Sequence, residues 1–593
     1  MTPSLRSLNE IIWLAIFFLT PLAFSSQIYE GAMLPKLFVL QILFLPLCFL
    51  GLKQSRIPKN GLLVTIGFFF FLNILSILQA KNAVETILQL AHQTGFFLIP
   101  LLVISTLNIE QFNRILRLTA WAGLPIAFIG LLQYWGLAFP NIPSNASPSA
   151  TFYHRNAAAT YIICILPLTT LGLFKAKTNA HTIYWGLLLT VQGTFLLSTR
   201  TRGAWVAIAV AGIATLILSK IIPQLKHQVS TLKSRALAGV CFLILLSTLL
   251  PENIHNTSKV GFDEKKSDAI TTITSIITPQ GHRGRVELWA NTLKMIRTYP
   301  LGVGLGNWQY WYPYFALGEH INVKAAPERP HNDLLWITAE LGIIGLLSFA
   351  TILISAGFIL YQILKVPNPH HLTALSLMAI VIAYLIEGLF SFPRAQIMPN
   401  LYFWFALGGL ALINLTHKTT HKTPTAQPAK YFFLFAIPLL CLSIQITFKR
   451  IQYDRHHLKV HTSERTADWT TVIEEANQAY QYGTLRANTS IAHGRALYRT
   501  REFLKAKDAY TIALTRHPYS LNAYNNLGIV HRRLGEYNHA ISAFKNALNL
   551  FPNFIEAHFN MGLAYIDQEK WDEALKSFSK AESLGLKKPH LYF

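Results

Sequence analysis

Long apolar runs follow one another up to residue 448, and they constrain the fold more than any other feature. A helix that crosses a bilayer needs roughly 20 apolar residues. Thirteen segments are candidate spans: 10–27, 34–51, 61–79, 94–108, 115–138, 157–174, 183–198, 203–222, 236–251, 336–363, 372–390, 400–416 and 431–448. A signal peptide is the alternative for the first, but its single basic residue, Arg6, favours an uncleaved helix. The runs predict an all-α, polytopic membrane protein with about twelve or thirteen transmembrane helices.

The charged residues divide the chain into unlike parts. Only 13% of residues are charged, against about 25% in a soluble protein. We therefore expect transmembrane helices over 1–251 and 336–448, a large loop over 252–335 and a polar domain over 449–593. The net charge of +23 is attributed to residues flanking membrane helices and to the basic tail, and no nucleic-acid partner is expected.

Lysine and arginine alternate between the short loops and predict the orientation. Cytoplasmic loops carry an excess of these residues. With a cytoplasmic N-terminus, the basic inner loops include Lys53, Arg56, Lys59, Arg114, Arg117, Lys175, Lys177, Lys365, Lys418 and Lys422. The loop 252–335 and the tail then lie on the outer face.

Four arginines, Arg155, Arg200, Arg202 and Arg394, lie on the outer face against this rule, each at the end of a helix. A few stray charges are always tolerated, but four on one face suggest a site for an anion.

The outer loop is too long for a simple connector. Leu288, Trp289, Leu293 and Ile296 recur at helical spacing, which predicts an amphipathic helix with Arg283 and Arg285 at its start. The glycine run that follows, 302–306, is interpreted as a turn. A phosphate cradle would need a following Lys-Ser/Thr or a preceding Rossmann strand, and neither is present.

His331 begins the stretch HNDLLWITAELGIIG, where the loop re-enters an apolar segment. Histidine titrates near neutral pH and can act as a base, although a lone histidine here would be interpreted as a helix cap. Arginine binds phosphate through a planar fork of donors. The sequence contains no Asp-x-Asp triplet to present a divalent metal. The set predicts metal-free transfer from a lipid-linked diphosphate with His331 as the base, and no cofactor.

The pattern HN-x9-G-x-x-G, at His331, Asn332, Gly342 and Gly345, resembles the signature of the O-antigen ligase family, which includes bacterial protein O-oligosaccharyltransferases. Three further stretches resemble motifs of that family over residues 10–416. LLSTRTRGAW places Arg202 in an arginine position, GRVELW does so for Arg285, and TFYHRNAAATY has Asn156 in the asparagine position. This chain differs in having a second arginine at each cationic motif, which leaves open whether Arg200 and Arg283 share the work.

The resemblance implies a metal-independent, inverting glycosyltransferase of the bacterial inner membrane, with the catalytic loop and tail in the periplasm. Its donor would be a glycan on undecaprenyl diphosphate, and His331, Arg202 and Arg285 would be the reactive set. The acceptor stays open between a sugar of the lipid A core, a protein Ser or Thr, and another glycan, as in related polymerases. A transporter or flippase with a recruiting domain is the non-enzyme alternative, but the sequence shows no inverted repeat.

Glu387 lies within a predicted span, near its outer end. An acid in the membrane is expensive and is a functional hypothesis by default. Arg394 follows about two turns later, so a structural Glu387–Arg394 ion pair and a substrate-binding role stay equally open.

The tail carries a 34-residue period. Gly494, Gly528 and Gly562 keep it, as do the aromatics Tyr510, Phe544 and Phe578. This is the tetratricopeptide pattern, in which small residues lie where paired helices cross. It predicts an α-solenoid of three to four repeats, the first of them degenerate at Trp469, Val472 and Ala476, with a protein partner or a passive cap as its role.

Overall fold

The computed structural model describes residues 7–52, 57–58, 60–137, 139, 142, 144, 148–221, 284–316, 327–418, 426–427, 429–483 and 486–586. Within these residues the chain is helical apart from two two-residue strands, Ile57–Pro58 and Ala426–Gln427, which pair antiparallel. The all-α prediction is therefore confirmed.

The helices fall into three groups in chain order. The first group is α1 (Leu8–Leu22), α2 (Leu34–Leu52), α3 (Gly61–Leu75), α4 (Ala83–Thr106), α5 (Ile109–Thr119), α6 (Gly123–Tyr134), α7 (Arg155–Lys175), α8 (Asn179–Ser198) and α9 (Arg202–Ile221). The loop contributes α10 (Arg285–Thr298) and α11 (Trp308–Phe315), and the remaining long helices are α12 (Asp333–Lys365), α13 (His371–Gly388), α14 (Ile397–Lys418) and α15 (Ala429–Arg465). The tail forms α16 (Trp469–Tyr480), α17 (Ala487–Arg499), α18 (Phe503–Arg516), α19 (Leu521–Arg533), α20 (Tyr537–Leu550), α21 (Ile555–Ile566) and α22 (Trp571–Ser583).

Ten helical segments among the described residues are long and apolar enough to cross a membrane. The predicted spans 10–27 and 183–198 correspond to the shorter α1 and to α8, and 236–251 lies outside the described residues. Helix α4 begins at Ala83, eleven positions before the predicted span. Polar residues lower the mean hydropathy of its first turns, so these turns were not included in the predicted span. One of them, Glu85, is buried and accepts hydrogen bonds from Gln89 (2.9 Å) and the Tyr310 hydroxyl (3.3 Å).

Lysines of the loops donate hydrogen bonds in two separate groups of loops, which we call faces. At one face, Lys36 Nζ donates to the carbonyls of Ala23 and Thr151, both at 2.7 Å. At the other, Lys175 Nζ donates to the Thr373 hydroxyl at 2.7 Å. The first face also carries His331 and the repeat helices, and it is called the site face below.

Helix α12 is broken ten residues after it begins. Gly342 has φ 73° and ψ −177°, a region open essentially only to glycine. The glycine run of the loop packs into the break. Val303 N donates to Ala339 O (2.9 Å), Gly304 N to Glu340 O (3.0 Å), and Ile343 N to Pro300 O (3.0 Å). The glycine run of the loop and the Gly342 break of α12 therefore pack against each other. The run serves as a turn, as the sequence indicated.

The tail forms four helical hairpins. Helix α15 is 37 residues long and leaves the membrane segment as one continuous helix, whose end pairs with α16 to make the first hairpin. In the other three, a Cβ placed on Gly494, Gly528 or Gly562 would meet the ring of the aromatic sixteen residues later at 2.5–2.8 Å. The 34-residue period thus fixes the crossing of each helix pair, and the degenerate first repeat is present with Val472 and Ala476 buried.

An ion-pair cluster joins the hairpins to the loop between α1 and α2. The carboxylate of Glu30 accepts hydrogen bonds from Arg450 (2.9 and 3.0 Å) and from Arg486. Arg486 Nε also contacts Asp454 at 3.2 Å, and Asp454 accepts from the Glu30 backbone at 2.7 Å. Burial raises the pKa of Glu30, but the two arginines outweigh burial and lower it to about 2. We call these four residues the latch.

The break in α12 can be tested with two glycines of the same helix. Gly342→Ala should lower the Tm and disturb the site face, because its Cβ would meet the backbone of Pro300 and Leu301 at 2.5–2.6 Å. Gly357→Ala is the matched control, since nothing lies within 4 Å of its Cβ position. Thermal unfolding of the purified protein measures both. Equal Tm values for the two variants would contradict the account.

The latch should stabilise the contact between the hairpins and the loop between α1 and α2. Glu30→Gln removes the charge that both arginines bind, at a cost of roughly 1.5–3 kcal/mol. Amide hydrogen exchange in α17 should therefore accelerate on the order of tenfold or more. The exposed Glu556→Gln in α21 is the control. Unchanged exchange in α17 would mean that the latch does not hold the hairpins.

Candidate functional site

Four helices begin at the site face with the predicted motif residues at their N-termini. They are α7 at Arg155, α9 at Arg202, α10 at Arg285 and α12 at Asp333. The N-terminus of each helix carries the equivalent of about half a positive charge and free backbone N–H groups. The arginines and the helix dipoles therefore add to one positive potential around the loops between them.

His331 lies at the centre of this arrangement. Its backbone is left-handed, with φ 54°, which is uncommon for a residue other than glycine and marks a position held by its surroundings. Trp289 Nε1 of α10 donates to the carbonyl of the preceding Pro330 at 2.9 Å. The imidazole packs edge-on against Phe392, with ring centroids 5.0 Å apart.

The charges near His331 keep its imidazole neutral. Burial lowers its pKa first, followed by Arg285, Arg329 and His154, and together they bring it to about 4. The neutral ring can accept a proton. The same neighbours show that α7, α10 and the His331 loop meet at one place.

The two residues after His331 fix the start of α12. The Asn332 side chain caps the helix by accepting from Leu335 N (3.0 Å) and donates to Leu389 O (3.3 Å). Asp333 is buried, and its Oδ2 accepts from Arg394 N at 3.0 Å. Asn332 and Asp333 therefore hydrogen-bond to the turn after α13 and hold the start of α12 against it. Asn332 acts as a positioning residue.

The asparagine and arginine motifs of α7 and α9 touch each other. Thr201 Oγ1 donates to the Asn156 side-chain oxygen at 3.2 Å. Arg200 has a left-handed backbone, with φ 51°, directly before the helix that Arg202 begins. The structure thus brings Asn156, Arg200 and Arg202 together at one edge of the site face.

The predicted loop helix exists as α10, and Arg285 is its first residue. Leu288 is buried, whereas Leu293, predicted on the same face, is 43% exposed. The buried side packs with Trp308, Trp311 and Trp336 into a small aromatic core of its own. Arg283, the second predicted cation of this motif, lies outside the described residues.

The Glu387–Arg394 ion pair is not formed, and this part of the prediction is wrong. Helix α13 ends at Gly388, so the assumed helical spacing does not reach Arg394. Arg394 instead contacts Glu340 at 3.4 Å and lies over the Trp336 ring at 5.1 Å, buried beneath the site face. It braces α12 and is not an exposed cation for an anion site.

Glu387 faces a different element from the one predicted. A Cβ on Gly203 would lie 2.6 Å from its Oε2, so the carboxylate rests against the first turn of α9, beside Arg202. This oxygen has no hydrogen-bond partner among the described residues. A buried acid at the positive end of a helix is electrostatically favourable, and the position leaves a substrate-binding role open.

Sequence reasoning missed Arg329, Asp333 and Trp289. Arg329 lies over the Phe392 ring at 4.8 Å, and the imidazole of His331 contacts the same ring. Its position two residues before the histidine was a signal that could have been used. Nothing in the sequence pairs Trp289 with Pro330, because that contact depends on how α10 folds back.

The fold and site define a multi-pass membrane protein that carries a cationic, histidine-centred site on one face and helical repeats beside it. The family model described as O-Antigen ligase matches residues 185–350. Models described as TPR repeat and Tetratricopeptide repeat match residues 528–568 and 555–585. Residues 185–350 are thus similar to the O-Antigen ligase family and the tail is similar to tetratricopeptide repeats, which supports the resemblance seen in the sequence.

Two curated proteins support the same family. The teichuronic acid biosynthesis protein TuaE of Bacillus subtilis (strain 168) is 22% identical over 384 residues, covering 61% of this chain and 72% of TuaE. The O-antigen ligase of Salmonella typhimurium (strain LT2) is 24% identical over 303 residues, covering 49% and 68%. Both alignments extend beyond the residues that the family model matches.

Solved structures were also compared with the chain. The crystal structure of MamA is 28% identical over 22% of this chain and 77% of MamA, with a TM-score of 0.22. The TPR protein YrrB is 15% identical over 27% of this chain and 79% of YrrB, with a TM-score of 0.23.

The electrostatics of the site predict a measurable pKa change. Arg329→Gln should raise the pKa of His331 from about 4, because one of the positive charges that disfavour the imidazolium is removed. Arg499→Gln, in the repeat helices, is the matched control. Titration of ¹⁵N-histidine resonances by NMR, assigned with a His331 variant, measures the shift. An unchanged or lower pKa in Arg329→Gln would contradict the electrostatic account.

Proposed function

We propose that this protein transfers a glycan from a lipid-diphosphate carrier to an acceptor hydroxyl at the site face. Similarity to the O-Antigen ligase family model and to an O-antigen ligase supports the class of reaction. The observation that carries the proposal is the position of His331 beside Arg285, Arg329 and His154, on a face where three helices begin at an arginine and a fourth begins at Asp333.

The positive groups suit a diphosphate leaving group. Helix N-termini bind phosphate through backbone N–H groups and the helix dipole, and arginine adds charge-assisted, two-pronged hydrogen bonds. Arg202 and Arg285 are assigned to the donor diphosphate, with Arg200 and Arg283 in support. Charge that develops on the leaving oxygen would be stabilised by groups already in place.

The acceptor hydroxyl oxygen attacks the anomeric carbon, and the bond from that carbon to the phosphate oxygen breaks. The bonding electrons leave with the lipid diphosphate, and the hydroxyl proton passes to His331. In the free protein burial, followed by the cationic neighbours, keeps this histidine neutral and a weak base. A bound diphosphate would offset the charges and raise the pKa of His331, which strengthens the base when the acceptor is present.

The carrier, the membrane and the orientation are proposed from the resemblance to the O-antigen ligase family. The donor carrier is proposed to be undecaprenyl diphosphate, the membrane the bacterial inner membrane, and the site face the periplasmic one. The lysine and arginine bias of the opposite loops supports this orientation. The acceptor choices are a lipid A core sugar, a protein hydroxyl or a further glycan. The repeat hairpins could also bind a protein partner.

A transporter is the weaker candidate. Broken helices in transporters leave backbone carbonyls to coordinate ions. In α12 the freed carbonyls of Ala339 and Glu340 accept hydrogen bonds from Val303 and Gly304. The break therefore serves to seat the loop.

The base assignment predicts that His331→Ala lowers glycan transfer by about 10²–10⁴-fold, while the protein inserts and unfolds as the wild type does. His181→Ala, an exposed histidine of α8 at the opposite face, is the control. Transfer by purified protein, with labelled lipid-diphosphate glycan extracted from cells that make it, is the measurement. Full transfer by His331→Ala would reject His331 as the base.

A further inference from the structure

A polar cleft separates the repeat hairpins from the membrane helices on the site face. The hairpins touch the membrane part at two places, the latch on one side and residues 516–519 on the other. At the second place Asn82 Nδ2 donates to Arg516 O (3.0 Å) and Lys81 Nζ contacts the Tyr519 hydroxyl (3.2 Å). Between them lies a small cavity of about 130 Å³ that opens to solvent.

The cleft leads to His331. Arg329 lines it, and the guanidinium of Arg329 lies over the Phe392 ring that the imidazole of His331 touches. Trp336, one turn into α12, lines the same wall. A molecule held in the cleft would therefore have its end beside the proposed base.

The lining is suited to hydroxyl groups. Carboxylates and carboxamides come from the membrane part at Glu85 and Gln89, from the loop at Gln309 and Glu328, and from the hairpins at Asn488. Carboxylates accept hydrogen bonds and carboxamides both donate and accept, which matches a sugar hydroxyl that does both. A peptide would be recognised through apolar pockets or a strand edge, and the cleft offers few apolar side chains.

The charges favour an uncharged ligand. Within the latch, Glu30 and Asp454 are balanced by Arg450 and Arg486, and Glu340 is paired with Arg394. The remaining charged lining groups are Glu85, Glu328 and Arg329. Since these carry no excess of positive charge, a phosphorylated acceptor would find no complementary surface there.

Tyr29 lies next to the cleft lining, because the guanidinium of Arg486, a lining residue, is 5.3 Å from its ring. Tyr29 and Tyr153 are 43% and 45% exposed. Burial raises the pKa of Tyr29, with Arg486 lowering it and Glu328 and Tyr153 raising it, so these groups are close neighbours. Each exposed ring offers an apolar face and a hydroxyl to a sugar.

We propose that this cleft is the acceptor subsite, that it binds the uncharged sugar end of a glycan, and that the repeat hairpins form one of its walls. This inference rests on the proposed glycan transfer. It gives the repeats a direct role in acceptor binding.

The test uses full-length protein in nanodiscs with labelled lipid-diphosphate glycan as donor. The acceptor is the glycan-bearing envelope fraction of the same cells, used untreated, protease-digested or periodate-oxidised. Asn488→Trp and Gln309→Trp fill the cleft, Glu328→Gln is a milder variant, and Lys545→Trp, exposed on α20, is the control. Thermal unfolding identifies any variant that fails to fold.

We expect transfer to survive protease digestion and to be lost after periodate oxidation. The tryptophan variants should raise the acceptor KM at least tenfold and Glu328→Gln a few-fold, with the donor KM unchanged. Unchanged acceptor KM in the folded variants, or transfer that protease abolishes and periodate spares, would overturn the acceptor subsite alone. A wild-type protein that consumes no donor would overturn the proposed function and the subsite with it.

Discussion

Backbone groups that a membrane helix leaves unpaired must find partners in protein, because the bilayer offers none. Helix α12 meets this requirement at Gly342, where the loop after α10 supplies its own N–H and carbonyl groups. These backbone hydrogen bonds connect a loop segment directly to a spanning helix, and no long side chain is needed. It sets the position of α10, and through Trp289 and Pro330 it sets the position of His331. A glycine in α12 thus determines the geometry of a site eleven residues away.

The site combines fixed backbone with concentrated positive charge. Left-handed residues occur directly before the α7 cap, before Arg202 and at His331, so each motif turns sharply into its helix. The helix N-termini then face the same volume. Arg394, by contrast, is buried against Glu340 and holds α12 in place. We assign the anion-binding role to arginines at helix starts, whereas the arginine in the turn after α13 supports the scaffold.

Much of the fold and of the site could be predicted from local patterns in the sequence. The 34-residue period located the hairpins, because each repeat packs on its neighbours. The HN-x9-G-x-x-G stretch located the histidine, whereas the break at Gly342 inside the predicted span 336–363 was not foreseen. Contacts between distant segments were not accessible in this way. Glu30 and Arg486 are 456 positions apart, and no local pattern pairs them. The start of α4 was missed because its buried polar residues have partners, such as Tyr310, that hydropathy cannot register. Glu387 was assigned to Arg394 because helical spacing was assumed beyond the end of α13.

The central claim is that the bond between sugar and diphosphate is broken at the histidine-centred site. The most direct measurement is the lipid product of one round of transfer by purified wild-type protein, analysed by mass spectrometry against the amount of glycan transferred. The account predicts one intact lipid diphosphate for each glycan transferred. Lipid monophosphate together with a phosphorylated glycan would show that a different bond is broken and would contradict the mechanism.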